Sequence, residues 1–229
     1  MKILLLLMVL IISPLRHVEN FQFYLRSDQV DIFPDYSNGN FSQKIIIENG
    51  KVFSRTRSLN FFDLDLNFRI FKNHDYIGTL DSEIRELLSI LPVSSMTLRE
   101  FLNHVGEFLK KNIRYQDSDL PQDPVSVIVN KKANCIGYSN LFSTLLKAVG
   151  VKNKFVRGFY LKKDGGNTWV PVPHRWVEIF LSNGYQYFYD PQYQDFSANY
   201  ILVKENTHFT RIKKFKVHLI KKSREIINR

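Results

Sequence analysis

The chain has 229 residues, of which 44% are apolar, 14% aromatic and 24% charged. That is enough material for one domain with a real core, or a core plus a small appendage, and it excludes a disordered, collagen-like or membrane-bundle chain. The formal net charge of +10 is unevenly placed: Lys204, Arg211, Lys213, Lys214, Lys216, Lys221, Lys222, Arg224 and Arg229 stand against only Glu205 and Glu225, so the basic C-terminal stretch reads as a solvated face, with contact to a polyanion as the alternative. Its lysines lack the interleaved recognition motifs of a nucleic-acid module, and specific nucleic-acid binding is not expected.

Along the chain, Lys2 precedes an unbroken apolar run over residues 3–12. The run is too short for a bilayer span, which takes ~20 residues, but it has the charge and length of a signal-peptide core. Residues 1–18 are therefore assigned as a signal peptide, with an uncleaved membrane anchor as the alternative, and the protein is expected in the periplasm or secreted. Residues 19–78 read as β-rich, with strands over 44–48 and 51–59 flanking the hairpin turn Asn49-Gly50. Two helices follow. Leu80, Ile84, Leu87, Leu88 and Leu91 recur at helical spacing and stop at Pro92, and Thr97 with Glu100 forms a capping box ahead of the stripe Phe101, Leu102, Val105, Phe108, Leu109 and Ile113. A loop carrying Asp117, Asp119, Pro121, Asp123 and Pro124 leads to a third helix that starts near Cys135 and ends at Gly150. Strands are then expected over 154–161, 174–181, 185–190 and 215–219. Helices followed by mostly antiparallel strands define an α+β class, with residues 79–229 as the core and its basic tail.

Cys135 is the only cysteine, so no intrachain disulfide can form. At a helix N-terminus, free N–H groups and the macrodipole favour a thiolate. Such a thiolate needs an imidazole to carry its proton, and the imidazole needs an acceptor for its second nitrogen. His174 opens one expected strand and Asp190 closes the next. The hairpin between them decides whether they meet. A two-residue turn at Asn183-Gly184 places Asp190 opposite Val177, on the wrong face; a three-residue loop of Ser182, Asn183 and Gly184 places it opposite Trp176, on the His174 side. The second register also gathers Val177, Ile179, Leu181, Tyr185, Tyr187 and Tyr189 on the other face. Trp176 is expected to pack beside the imidazole. The Cys135 N–H is the natural oxyanion donor, and Asn130 and Asn134 are candidates for a second, each otherwise a turn residue. The remaining histidines lack metal-ligand spacing and there is no phosphate-cradling glycine loop, so neither a metal nor a cofactor is expected.

The ordered blocks Asn134-Cys135-Ile136-Gly137-Tyr138-Ser139, Leu145-Leu146-Lys147-Ala148-Val149-Gly150-Val151, Arg157-Gly158-Phe159, His174-Arg175-Trp176-Val177-Glu178 and Asp190-Pro191 resemble the transglutaminase-like superfamily, across roughly residues 98–194. Asn134 stands where many members have Gly. The resemblance implies a papain-like α+β core with Cys135 as nucleophile, His174 as general base and acid, and Asp190 as orienting acceptor. It also implies attack on a peptide or protein amide through a thioester. Hydrolysis is the favoured outcome; the alternatives are an amine-accepting cross-linking enzyme and a non-catalytic binding or assembly module that works through its basic C-terminal surface.

Overall fold

The computed structural model describes residues 16–227 apart from 28, 61, 62, 92, 118, 166, 167, 208 and 210–214. The apolar run at residues 3–12, the stop at Pro92 and part of the basic tail, including Lys213, Lys214 and Arg229, lie outside the described residues. Strand β1 (Arg16–Arg26) begins within the expected leader, so Arg16, His17 and Val18 are strand residues. After β2 (Tyr36–Ser37), β3 (Phe41–Glu48) and β4 (Lys51–Leu59) form the hairpin predicted at Asn49-Gly50. Both turn residues have positive φ, 50° and 70°, which suits an Asn-Gly pair.

The helical half comprises α1 (His74–Gly78), α2 (Ser82–Ser89), α3 (Leu98–Asn112), α4 (Pro124–Asn130) and α5 (Cys135–Ala148). The capping box on α3 is formed in full: the Thr97 side chain accepts from the Glu100 N–H and Glu100 returns a bond to the Thr97 N–H. Two helices were not foreseen. For α4 the sequence did carry a start signal, since the Asp123 side chain accepts from the Ser126 N–H and Pro124 occupies the first turn. Between α3 and α5, β5 (Arg114–Tyr115) and β6 (Lys132–Ala133) form a short parallel pair.

The remaining strands are β7 (Lys152–Gly165), β8 (Thr168–Phe180), β9 (Gln186–Tyr189), β10 (Tyr200–Leu202) and β11 (Lys216–Ile227). The main sheet runs β10-β7-β8-β11-β1-β4-β3-β2, with β9 on β8, and every pairing is antiparallel. The N-terminal strands thus share one sheet with the C-terminal ones, through β1 and β11. The sheet curls on itself. Gln43 of β3 exchanges hydrogen bonds with the Leu202 backbone of β10, and Ser58 of β4 donates to the Phe196 carbonyl at 2.8 Å.

One core lies between the helices and the outer face of β8 and β9, where Val177, Ile179, Leu181, Tyr187 and Tyr189 pack with Leu141, Phe142 and Leu145. A second cluster lines the concave side around Phe41, Val156, Trp176, Phe188, Phe196 and Tyr200. Burying a large apolar side chain contributes about 1.5–3 kcal/mol, so this aromatic cluster is a rigid backing for whatever stands on it. Glu178, fully buried at its edge, is held by the Tyr36 hydroxyl, the Asn38 amide at 3.2 Å and the Lys154 ammonium at 3.1 Å.

Candidate active site

The β8–β9 hairpin has the three-residue loop. The Leu181 N–H donates to the Tyr185 carbonyl, Gly184 has φ +84°, and the register pairs Val177 with Tyr189. Continued by one residue, it sets Asp190 across from Trp176 and on the His174 face. There His174 Nε2 lies 2.5 Å from Asp190 Oδ2. Both side chains are buried, Asp190 completely. The same carboxylate oxygen accepts from the Tyr200 hydroxyl at 2.7 Å, while Oδ1 accepts from the Gln192 N–H at 2.9 Å.

The nucleophile candidate arrives from the other half of the molecule. Asn134 is the N-cap of α5: its side-chain oxygen accepts from the N–H groups of Ile136 (2.9 Å) and Gly137 (3.4 Å). Cys135 is therefore the first residue of the helix, where its own N–H has no intrahelical acceptor. Its side chain is partly exposed and lies in hydrogen-bonding contact with His174. Since Nε2 is committed to Asp190, Nδ1 is the ring nitrogen left for the thiol.

Three ties fix α5 against β8 at this point. Ser139 Oγ donates to the Arg175 carbonyl at 3.0 Å, and the Arg175 guanidinium donates to the Ile136 carbonyl at 2.7 Å and to Asn140 Oδ1 at 2.6 Å. The Arg175 guanidinium also lies over the Phe155 ring at 4.3 Å. Burial brings its pKa down to about 10, with Cys135 opposing that fall and Arg157 adding to it, so it stays cationic at neutral pH. Gln122 braces the cap, accepting from the Asn134 N–H at 2.9 Å. Gly137 makes room for this: a Cβ there would stand 2.4 Å from Gln122 Oε1 and 2.8 Å from Val127. Gly158, opposite His174 on β7, is equally constrained, since a Cβ would meet the Ile201 carbonyl at 2.1 Å and Trp176 at 2.6 Å.

Burial alone would lower the His174 pKa. The Asp190 charge and hydrogen bond override it, with Cys135 contributing, and raise it to about 9. The imidazole is thus a cation at neutral pH, between the Asp190 carboxylate and the Cys135 sulfur. Trp176 lies beside it, fully buried, with ring centroids 6.3 Å apart and 26° between planes. The indole N–H has no hydrogen-bond partner among the described residues, in keeping with a packing role.

Asn130 is not brought to the site: it ends α4, exposed, with its amide turned back to the Ser126 carbonyl at 2.8 Å. Asn134 is adjacent, but its side-chain oxygen is an acceptor used by the helix cap. Asn130, its amide spent on Ser126, is therefore not placed as an oxyanion donor, and for Asn134 only the Nδ2 group is left for that part. The sequence reading missed Tyr200, Arg175 and Gln122, and also the aromatic flanks. Tyr193 stacks on Tyr160 at 4.6 Å and lies 5.7 Å from the His174 ring. Tyr115 is carried to the Cys135 side by the β5–β6 pairing. Both tyrosines are about half exposed, and both have raised pKa values, chiefly through burial and in smaller part through the charge of Cys135. Among the described residues no group of three or more His, Cys, Asp or Glu is clustered to hold a metal ion.

The chain is thus an α+β protein in which a helix-terminal Cys meets a strand-borne His-Asp pair. Residues 92–191 match the transglutaminase-like superfamily. Members of that superfamily are generally cysteine-dependent enzymes, and the match supports that class for residues 92–191 at the level of the family. No curated protein matches the chain. Among solved structures, it is similar to a protein of Cytophaga hutchinsonii provisionally assigned as a cysteine protease (9% identity, 93% of this chain and 90% of that one, TM-score 0.41). The periplasmic domain of TgpA from Pseudomonas aeruginosa is also similar (12% identity, 80% of this chain and 88% of that one, TM-score 0.38). No helix among the described residues is long and apolar enough to cross a membrane.

Proposed function

We propose that the protein cleaves peptide or protein amide bonds through a thioester on Cys135. The observation that carries this reading is the His174 ring, held through Nε2 by a fully buried carboxylate and left with Nδ1 toward the only thiol of the chain. Cys135 attacks the substrate carbonyl while its proton resides on His174. The Cys135 N–H at the open end of α5 donates to the developing oxyanion. On collapse the C–N bond breaks, His174 delivers its proton to the departing amine, and the acyl group stays on sulfur. Water then attacks the thioester, giving a proton to His174; the C–S bond breaks, the thiolate leaves, and the proton kept on His174 restores the starting pair. Partial exposure of Cys135 supports water as the acceptor. Asp190 keeps the ring in the required tautomer throughout. The apolar run at residues 3–12 supports action outside the cytoplasm.

The test is intact-mass analysis after rapid mixing with a peptide carrying an activated amide, in the presence and absence of a primary amine. The expected result is a transient acyl adduct on Cys135 that decays to free acid even with the amine present. Predominant capture by the amine would instead make the protein a transamidase. Absence of any adduct, with a thiol that alkylates at the rate of a free cysteine at pH 6, would make it a binding module.

A further inference from the structure

A second feature lies on the other side of the sheet, independent of the thiol. Strands β11, β1, β4 and β3 present one face to the core through Phe21, Phe23, Leu25 and Val217, and the opposite face outward. On that outer face the registers form rows across all four strands. One row reads Lys221, Gln22, Arg55, Lys44, and the next Ser223, Asn20, Arg57, Ser42. Between them lies a groove of about 440 Å³, with Arg55, Arg57 and Lys221 on its walls and the short polar side chains Gln22, Ser42 and Ser223 among its lining.

The charges in this groove are not balanced from within. Lys44 is paired with Asp35, and Glu225 accepts from the Asn20 amide at 3.1 Å. Among the described residues no ion pair engages Arg55, Arg57 or Lys221, whereas the neighbouring Lys222 and Arg224 are drawn to Glu19. Two rows further along the strands Arg26 and Lys216 face each other, extending the positive field. The basic C-terminal strand therefore contributes only part of the cationic surface; Arg55 and Arg57 of β4 and Arg26 of β1 add to it.

We propose that this groove binds a linear acidic polysaccharide, its carboxylate or sulfate groups on Arg55, Arg57 and Lys221 and its hydroxyls on the polar floor. Guanidinium forks suit planar or tetrahedral oxyanions. Single-stranded nucleic acid favours exposed aromatic platforms for its bases; here Phe21, which reaches the lining, is buried and stacked on Phe23, while Tyr24 and Phe53 pack against each other at 5.7 Å, with Tyr24 also stacked on His218. A recessed polar floor likewise offers nothing to insert into a bilayer.

The experiment measures binding of the full chain to a fluorescently labelled polyuronate and to heparin across a salt series. Controls are single-stranded DNA and vesicles of anionic phospholipid. The triple variant Arg55→Gln, Arg57→Gln, Lys221→Gln is expected to bind the polysaccharides at least about tenfold more weakly, with a visibly shallower salt dependence. The matched triple Lys110→Gln, Lys111→Gln, Lys147→Gln, on exposed helix faces, is expected to bind as the wild type does. Alkylation of Cys135 at an unchanged rate checks the fold of each variant. Should the groove triple fold poorly, the single Arg55→Gln and Arg57→Gln variants serve, each expected to weaken binding about two- to fivefold. Equal loss in both triples would reduce the effect to net charge and overturn the proposal. Tighter binding of DNA or vesicles than of either polysaccharide would overturn it too.

Discussion

The two halves that meet at Cys135 are built on different physics. The His174–Asp190 half stands on a dry aromatic cluster, where Trp176 and Asp190 are wholly buried and a tyrosine hydroxyl holds the carboxylate. The Cys135 half is a helix end, partly open to solvent and held by exchangeable polar ties from Asn134, Gln122 and Arg175. In the first half a buried charge has few alternatives, so position and protonation are set together. In the second, position comes from a cap and several hydrogen bonds, none of which carries the whole load. Single changes in the sheet half should therefore cost far more than single changes at the helix end.

The largest effect is expected from Asp190→Asn. The amide fills the space but does not stabilise an imidazolium, and kcat/KM should fall on the order of 10³- to 10⁴-fold with the fold kept by circular dichroism. A loss under tenfold would erase the contrast between the halves. Gly158→Ala tests the backing of the same half through packing alone. Its Cβ has no room beside the Ile201 carbonyl and Trp176, and a loss of about 1–3 kcal/mol in unfolding free energy is expected from overpacking, read from denaturant titration. Tyr200→Phe removes one donor from a carboxylate that keeps others, and a roughly tenfold fall in kcat/KM is expected, the equivalent of about 1.4 kcal/mol.

Acidity offers a finer separation. With its pKa raised from 6.5 to about 9 in the fold, charged His174 adds stability that is fully present below about pH 6.5. That stability is lost as pH rises through 9. The thermal midpoint should therefore drop between pH 6 and pH 9.5, and the drop should shrink in Asp190→Asn; an equal drop in both proteins would detach the effect from this pair. Smallest of all, Asn134→Ala should cost about 1 kcal/mol of stability, the ordinary worth of an N-cap, and reduce kcat/KM by no more than a few-fold. A collapse of activity in that variant would show the helix end to be as unforgiving as the sheet.

What the sequence disclosed of this arrangement was local. Residue types and order marked Cys135, His174 and Asp190, and the spacing around Ser182 to Gly184 selected the hairpin register that brings the last two together. The capping box of α3 and the Asn-Gly hairpin are likewise rules acting over a few residues. What stayed hidden depends on distant partners. Tyr200 reads as one more strand tyrosine until β10 folds beside β7. Arg175 lies between two motif residues, and only the docking of α5 gives its guanidinium the Ile136 carbonyl. Helix α4 was obscured because Val-Ser-Val-Ile-Val is rich in β-branched residues, although Asp123 and Pro124 marked its start. Asn130 and Asn134 have the same side chain, and only the three-dimensional cap separates their parts.

Strand β1 pairs along its length with β11, joining residues about as far apart as the described chain allows. Closing so long a loop costs entropy before any contact repays it, which places this pairing late on the folding path and makes for slow folding. A ribosome releases the chain from its N-terminal end at about 5–20 residues per second, so β1 waits through the synthesis of all the residues between it and β11 for the strand that completes the sheet on that side. Until then the edge of β1 that β11 will cover is unpaired, and the long-lived nascent form of this protein is an incomplete sheet that has to be kept from other open strand edges.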